Sequence, residues 1–344
     1  MPSVNQQIHV IFLDYMIKYN NKGCENMEEK KVFLIINSYC IGDIILTNSL
    51  VQNIKRIYKD SWVVMLSSPQ LYDVAKYQQG VDDVIIWDRK GKDKGFWNFL
   101  KFILRFPYKK IYAAFPIYST DRPIILAKLL GAKYILGSKR KLITSLLKSK
   151  YPENIDWRNV QTANMTLLTG ITKEKLIDVP MKFNPPETAS QIITDLKDSQ
   201  YLALSPKTSR VSKDIPNDKV CEIIEKSPYK IILLGNGTES DKLSEIIEQK
   251  KYNNVINLIG KTNILESIQI IQNSIGCISA DTGMLHMSCA LNKITIGIFY
   301  EKGMTHFVPK EEIYPLSKCL TNDNTEEIFN ALNYLLEINS KQII

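Results

Sequence analysis

The sequence is poor in histidine and in organised cysteine. Histidine occurs only at His9, His286 and His306, and no two lie at metal-ligand spacing. The six cysteines, Cys24, Cys40, Cys221, Cys277, Cys289 and Cys319, are scattered and form no Cys-x-x-Cys pair. This argues against a zinc cluster and against a secreted disulfide framework, and fits reduced thiols in a cytoplasmic protein. No apolar run approaches the ~18 residues expected of a transmembrane helix. The stretch Ile8–Ile17 is apolar but carries His9 and Asp14, and it lacks the basic start and small-residue cleavage site of a signal peptide. What is present is ordinary globular composition: 344 residues, 44% hydrophobic and 23% charged. At ~100–200 residues per domain this length predicts two domains.

Charge is unevenly placed. Between Arg89 and Lys150 there are 16 lysines and arginines against 2 acids, a net of +14, so the rest of the chain carries −6 of the overall +8. Such a region suits an anionic partner: nucleic acid, an anionic membrane surface or an acidic substrate. Residues 89–110 interleave Arg89, Lys90, Lys92, Lys94, Lys101, Arg105, Lys109 and Lys110 with Phe96, Trp97, Phe99, Phe102 and Phe106. That pattern fits a helix on an anionic membrane, and equally a helix whose aromatics pack on a sheet. No nucleic-acid motif accompanies the charge, so no nucleic-acid partner is expected.

Hydrophobic patterning repeats in two halves. In the first, apolar runs at Val32–Asn37, Trp62–Leu66, Val84–Trp87, Ile111–Phe115 and Tyr134–Leu136 read as strands. Helical stretches fall between them, at about 44–58, 69–79, 96–106 and 122–130. In the second, strands at Tyr201–Leu204, Ile231–Leu234, Val255–Ile259, Cys277–Ala280 and Ile294–Phe299 alternate with helices at Pro216–Lys226, Ser240–Lys250, Ile264–Gln272 and Gly283–Leu291, and Thr325–Leu336 is a last helix. The prediction is α/β: two Rossmann-like, doubly wound domains facing a central cleft. Residues 1–30 form an N-terminal extension, 31–184 the first domain and 185–344 the second, joined near Phe183-Asn-Pro-Pro186. The extension has no counterpart in the repeat, and Met27 stands just before the first strand; a peripheral extension, or a natural start at Met27, is expected.

Four places offer chemistry. Asp43 follows a buried strand and a glycine at the start of a helix, where free N–H groups and the dipole stabilise its anion; a helix cap explains the same position. The loop Ser205-Pro-Lys-Thr-Ser-Arg-Val-Ser-Lys213 supplies Thr208, Ser209 and Lys213 beside a helix N-terminus, a phosphate site or simply a solvated loop. It lacks P-loop glycine spacing. Glu239, in Leu234-Gly-Asn-Gly-Thr-Glu239, suits ribose hydroxyls or the first turn of a helix. The densest segment is Asp281-Thr-Gly-Met-Leu-His286, where Thr282 and Gly283 open a helix fit for a diphosphate. His286 follows about one turn later, as a ligand contact or a buried core residue.

Taken together, Ile41-Gly-Asp-Ile-Ile-Leu-Thr47, Lys213-Asp-Ile-Pro216, Gly235-x-x-x-Glu239 and Asp281-Thr-Gly-Met-Leu-His286 resemble, in order and spacing, the motifs of glycosyltransferase family 9, the ADP-heptose:lipopolysaccharide heptosyltransferases. The resemblance covers about 31–340. It implies the GT-B fold and inverting transfer without a metal or other cofactor, and no Asp-x-Asp is present. It implies that Asp43 is the general base. Thr208, Ser209, Lys213, Thr282 and Gly283 would hold the diphosphate, Glu239 the ribose, and Thr262 would stand where backbone meets adenine. Asp281, Met284 and His286 would lie along the donor sugar or the phosphate loop. The implied donor is ADP-heptose, the acceptor a phosphorylated glycolipid of the lipopolysaccharide or lipooligosaccharide inner core, and the location cytoplasmic, peripheral on the inner membrane.

The sequence departs from the family pattern in several places. The Gly-Asp loop is Asn37-Ser-Tyr-Cys-Ile-Gly-Asp43 without the frequent arginine, and the proline that follows it in the family is replaced near Asn48. A Tyr-Asp pair is Tyr108-Lys109, and the family tryptophan is Ile215. Most of these lie on the acceptor side. The alternatives are a relative using another nucleotide sugar for a different surface glycan, a GT-B sugar-nucleotide epimerase, whose acid/base residues are not found, or an inactive membrane-associated binding protein.

Overall fold

Strands rich in Val, Ile, Leu and Phe, buried on both faces, need helices above and below, and the chain supplies them by alternation. The computed structural model describes residues 30–117, 121–137, 155, 158–197, 199–300 and 305–342. The N-terminal extension up to residue 29, including Met27, and the basic residues at 139–141, 148 and 150 lie outside them.

In the first half, β1 (Lys31–Ile36) leads to α1 (Ile41–Ile45) and α2 (Asn48–Ile57). Next come β2 (Ser61–Ser67), α3 (Tyr72–Lys76), β3 (Asp83–Ile86), α4 (Phe96–Arg105), β4 (Ile111–Pro116), α5 (Asp121–Leu129) and β5 (Tyr134–Ile135). The strands are parallel in the order β3-β2-β1-β4-β5. Two short helices follow, α6 (Val160–Thr166) and α7 (Gln191–Leu196). The second half runs β6 (Tyr201–Ser205), α8 (Asn217–Lys226), β7 (Lys230–Leu233), α9 (Thr238–Lys250), β8 (Val255–Asn257), α10 (Ile264–Asn273), β9 (Gly276–Ala280), α11 (Gly283–Ala290), β10 (Thr295–Ile298), β11 (Ser317–Leu320) and α12 (Thr325–Gln342). Its sheet is parallel in the order β11-β10-β9-β6-β7-β8. Read from its first strand, this is the order of a dinucleotide-type doubly wound sheet, with a topological switch between β6 and β9. The first sheet has the matching switch between β1 and β4.

Each sheet buries both faces with period two. On β1, Phe33 and Ile35 pack with α1 and α2, while Val32, Leu34 and Ile36 face Phe102 and Ile124 of α4 and α5. Met287, Cys289 and Ala290 of α11, with Tyr314, join the same buried cluster as Phe33 and Ile44. The two halves therefore share one apolar seam.

The first half closes on itself just before the proline pair, where Lys182 and Asn184 bond the backbone of Gln79 and Tyr77. A further contact ties the halves. Farther on, the segment after β10 folds back onto α6: Lys310 bridges Thr162 and Asp178, and the Tyr314 hydroxyl donates to Gln161 at 2.7 Å. No helix of the described residues is long and apolar enough to cross a membrane.

Three local expectations change. The single helix expected over 44–58 is broken at Leu46–Thr47, where Thr47 Oγ1 bonds back to the Ile44 carbonyl at 2.6 Å. Helices α6 and α7 and strand β11 were not legible, being short and weakly apolar. The helix near 69–79 contracts to a 3₁₀ turn, Pro69–Leu71, and α3.

Candidate active site

Two helix N-termini, one from each switch point, meet across the seam. The first is α1. A helix of five residues can hardly satisfy its own end groups, and buried amides do it instead. Asn37 Nδ2 donates to the Asp43 carbonyl at 2.9 Å, Gln78 Nε2 to the Ile44 carbonyl at 3.0 Å, and Asn164 Nδ2 to the nearby Leu46 carbonyl at 3.1 Å. This clamp fixes Asp43, the third residue of α1, with 5% of its surface exposed. The Cys40 thiol, at the N-cap, donates to Asp43 Oδ2 at 2.5 Å. Partial burial, then the Asp43 charge, push that thiol up to about 12, so it stays a proton donor at neutral pH.

The second is α11. Thr282 caps it, accepting from the Met284 N–H at 3.1 Å and meeting the Ser279 hydroxyl at 3.0 Å. Close approach of the helices rests on two glycines. A Cβ on Gly283 would lie 2.7 Å from both Cβ and Cγ2 of Ile41 and 3.1 Å from the Gly42 nitrogen. One on Gly42 would lie 3.0 Å from His286 Cδ2. Glycine is required here for space rather than for dihedral freedom.

Lys213 and Asp281 come from the loops after β6 and β9, the strands that flank the second switch point. Their side chains are 12% and 7% exposed and pair at 2.5 Å, Nζ to Oδ2. The ring of Phe307 lies 5.3 Å from the same ammonium. Behind it, Asp214 holds the loop: Oδ1 accepts the Thr208 N–H at 2.7 Å, and Lys207, nearly buried, sits 3.8 Å from Oδ2. Ser209 is exposed in that loop. His286 is 2% exposed and its Nδ1 has no hydrogen-bond partner. Burial lowers its pKa, Asp281 and Asp43 oppose this, and Lys213 reinforces it.

Glu239, the second residue of α9, follows Gly237 at φ 92° and pairs with Lys242 at 2.6 Å. Its field also reaches Lys207, whose pKa burial lowers and Asp214 and Glu239 raise. Thr262, beyond β8, meets the Ser267 hydroxyl at 2.8 Å. Thus Thr262, Glu239, the loop of Thr208, Ser209 and Lys213, and Asp281–His286 follow β8, β7, β6 and β9, four neighbouring strands. They stand in line along one sheet edge, over about 14–15 Å at the usual strand spacing, and Asp43 faces the end of the line. Among the described residues no group of three or more His, Cys, Asp or Glu could hold a metal ion.

The model of glycosyltransferase family 9 (heptosyltransferase) matches residues 131–327, more than half of the chain. The chain belongs to glycosyltransferase family 9. Over 84 residues it is 24% identical to lipooligosaccharide heptosyltransferase 2 of Haemophilus influenzae, a match that spans 24% of this chain and only 24% of that relative. Its fold is similar to a glycosyl transferase family 9 structure from Veillonella parvula, with TM-score 0.77 and 16% identity, covering 90% of this chain and 98% of that one. It is also similar to an E. coli heptosyltransferase solved with ADP-2-deoxy-2-fluoro heptose, with TM-score 0.67 and 14% identity over 90% and 99% of the two chains. The family 9 chain therefore has the GT-B architecture its sequence implied.

Sequence reasoning missed Cys40, Asn37, Asp214 and Phe307. Asn37, Cys40 and Asp214 lie within the quoted segments, but only the fold shows their contacts: Asn37 and Cys40 with Asp43, Asp214 with Thr208 and Lys207, and Phe307 with Lys213. Two of the departures are structural. Tyr108 accepts from Trp62 Nε1 and donates to Asp83 in the first half, and Ile215 is fully buried in the second core.

Proposed function

We propose that this family 9 chain transfers a sugar from a nucleotide diphosphate donor to a hydroxyl acceptor with inversion and without a metal ion. The observation that carries this reading is the linear order along the second sheet edge. Thr262, Glu239, Lys213 with Thr282, and Asp281 with His286 repeat the order base, ribose, diphosphate, sugar in a nucleotide sugar, and a carboxylate stands beyond the sugar end. ADP-heptose is the proposed donor, and a phosphorylated glycolipid of the lipopolysaccharide or lipooligosaccharide inner core the acceptor. The names of the H. influenzae relative and the E. coli neighbour support this choice.

In this mechanism Asp43 accepts the proton of the acceptor hydroxyl, whose oxygen attacks the anomeric carbon from the face opposite the diphosphate. The C–O bond to the nucleotide breaks, and the electron pair leaves with the diphosphate. Lys213, the hydroxyls of Thr208, Ser209 and Thr282, and the N-terminus of α11 at Gly283 meet the charge that develops there. Asp281 orients the Lys213 ammonium, and Met284 and His286 wall the donor sugar. The clamp on α1 keeps the base in place, so geometry contributes as much as basicity.

The test is release of ADP from ADP-heptose, with and without a phosphorylated inner-core acceptor and with EDTA present. Acceptor-dependent release that survives EDTA is expected. Release only from another nucleotide sugar would move the reading to a different glycan; release with none of them would leave a binding protein. A strict need for Mg²⁺ or Mn²⁺ would overturn the metal-free step.

A further inference from the structure

Helix α4 has two apolar sides, and the fold uses one. Phe102 is buried and Phe99 half-buried against Trp87, with ring centroids 5.9 and 6.1 Å away, and Phe106 closes the cluster. On the opposite side Phe96, Leu100 and Leu104 recur every fourth residue, with Trp97 beside them, on one stripe of the helix. Phe96 is 66% exposed, Trp97 74% and Leu104 78%. Large apolar side chains displayed together in this way mark an interaction surface.

The charge displayed around the stripe is mainly positive. Lys90, Lys92 and Lys94 in the preceding loop, and Lys101 on the helix, are exposed. Of the two nearby acids, Asp93 is buried and Asp88 is half-buried and engaged by its own loop. Asp93 has a side chain 1% exposed, pairs with Arg105 and accepts the Asp88 N–H at 2.8 Å. Asp88 accepts the N–H groups of Gly91 and Lys92 at 2.9 and 3.1 Å. The loop leaves the carboxyl end of β3, on the same edge of the sheet as α1 and two strands from β1, a lateral step of about 10 Å.

We propose that this stripe of α4, with loop 88–95, is a peripheral docking surface for an anionic lipid bilayer. Apolar and aromatic side chains ringed by lysines match the boundary between acyl chains and anionic headgroups, where tryptophan is favoured. A second copy of the chain fits less well: a two-fold contact across α4 would set the lysines of one copy against the same lysines of the other. Nucleic acid fits less well too, since Leu100 and Leu104 make half of the stripe aliphatic, and bases stack on aromatic rings. The surface stands independently of the transferase reading. If both hold, docking presents the Asp43 edge of the sheet to the headgroup layer, where a glycolipid hydroxyl lies.

The test uses the full chain and vesicles of phosphatidylcholine, alone or mixed with an equal amount of phosphatidylglycerol. Flotation at low salt is expected with the mixed vesicles only, falling as salt screens the lysines. Joint change of Lys90, Lys92, Lys94 and Lys101 to Glu, and separately of Phe96, Trp97 and Leu104 to Ser, should each lower the partition coefficient about tenfold or more. Circular dichroism and thermal melts should match the wild type. Chain-brominated lipid should quench tryptophan emission in the wild type, and Trp97→Phe should bind normally but lose that quenching. No flotation at low salt, flotation indifferent to both variants, or quenching unchanged in Trp97→Phe would overturn the proposal. So would a dimer in light scattering that the Ser variant dissolves without vesicles, or tighter binding to single-stranded oligonucleotides than to vesicles.

Discussion

Replacing Gly283 by alanine adds one methyl group at the point where the two halves of the site touch. Its carbon would lie 2.7 Å from two carbons of Ile41. An ordinary carbon–carbon contact is ~3.5–4.0 Å, so α1 and α11 must part by about 1 Å. Neither helix can absorb this alone: α1 is held by Asn37, Gln78 and Asn164, and α11 by its cap and the seam. The overpacking should cost about 1–3 kcal/mol of stability, visible as a lower thermal midpoint. The larger effect is on turnover. A displacement of about 1 Å between base and donor is worth roughly 10²-fold. ADP affinity, measured by calorimetry, should fall less than turnover, because the proposed diphosphate contacts lie on the second half alone. Adding Ile41→Gly removes both clashing carbons, so the double variant should regain most of the turnover, a coupling that a double-mutant cycle reads directly. Near-normal turnover in Gly283→Ala, or no recovery in a folded double variant, would refute the reasoning.

The other predictions are simpler. Asp43→Ala should cut transfer by ~10²–10⁴-fold and leave ADP binding nearly unchanged in calorimetry; near-normal turnover would remove the base assignment. Lys213→Ala should weaken ADP binding and slow transfer together, since the ammonium serves both bound donor and leaving group; unchanged ADP affinity would count against it. Burial lowers the pKa of His286 in the folded protein, so its contribution to stability is complete above the ordinary histidine value of 6.5 and lost as pH falls below it. Thermal melts of His286→Gln should therefore lose less stability than the wild type between neutral and mildly acidic pH; parallel curves would show that the imidazole does not couple to folding.

The strands other than β11 were legible because parallel strands covered on both faces must be apolar throughout, as in Val32–Ile36 and Ile231–Leu234. Asp43 and the Asp281–His286 run were legible because each is a polar interruption at the end of such a strand. The Lys213–Asp281 pair was not, since its members are 68 residues apart and meet only because β6 lies beside β9. Nor was the break after Ile45: the apolar spacing runs on through it, and the carbonyls freed there are taken by side chains from distant segments. Residues 96–106 left packing and exposure open, and the structure divides them, Phe102 and Phe106 inward and Phe96 and Trp97 outward.

The return of the segment around Lys310 and Tyr314 to α6 gives the two halves a second attachment beside the chain crossing at 183–186. The halves are thus held in three ways: by the peptide chain, by this side-chain bridge, and by the apolar seam where Gly42 meets Gly283. Neither the bridge nor the seam depends on an intact peptide at 183–186, so a chain cut there is expected to elute as one particle in gel filtration.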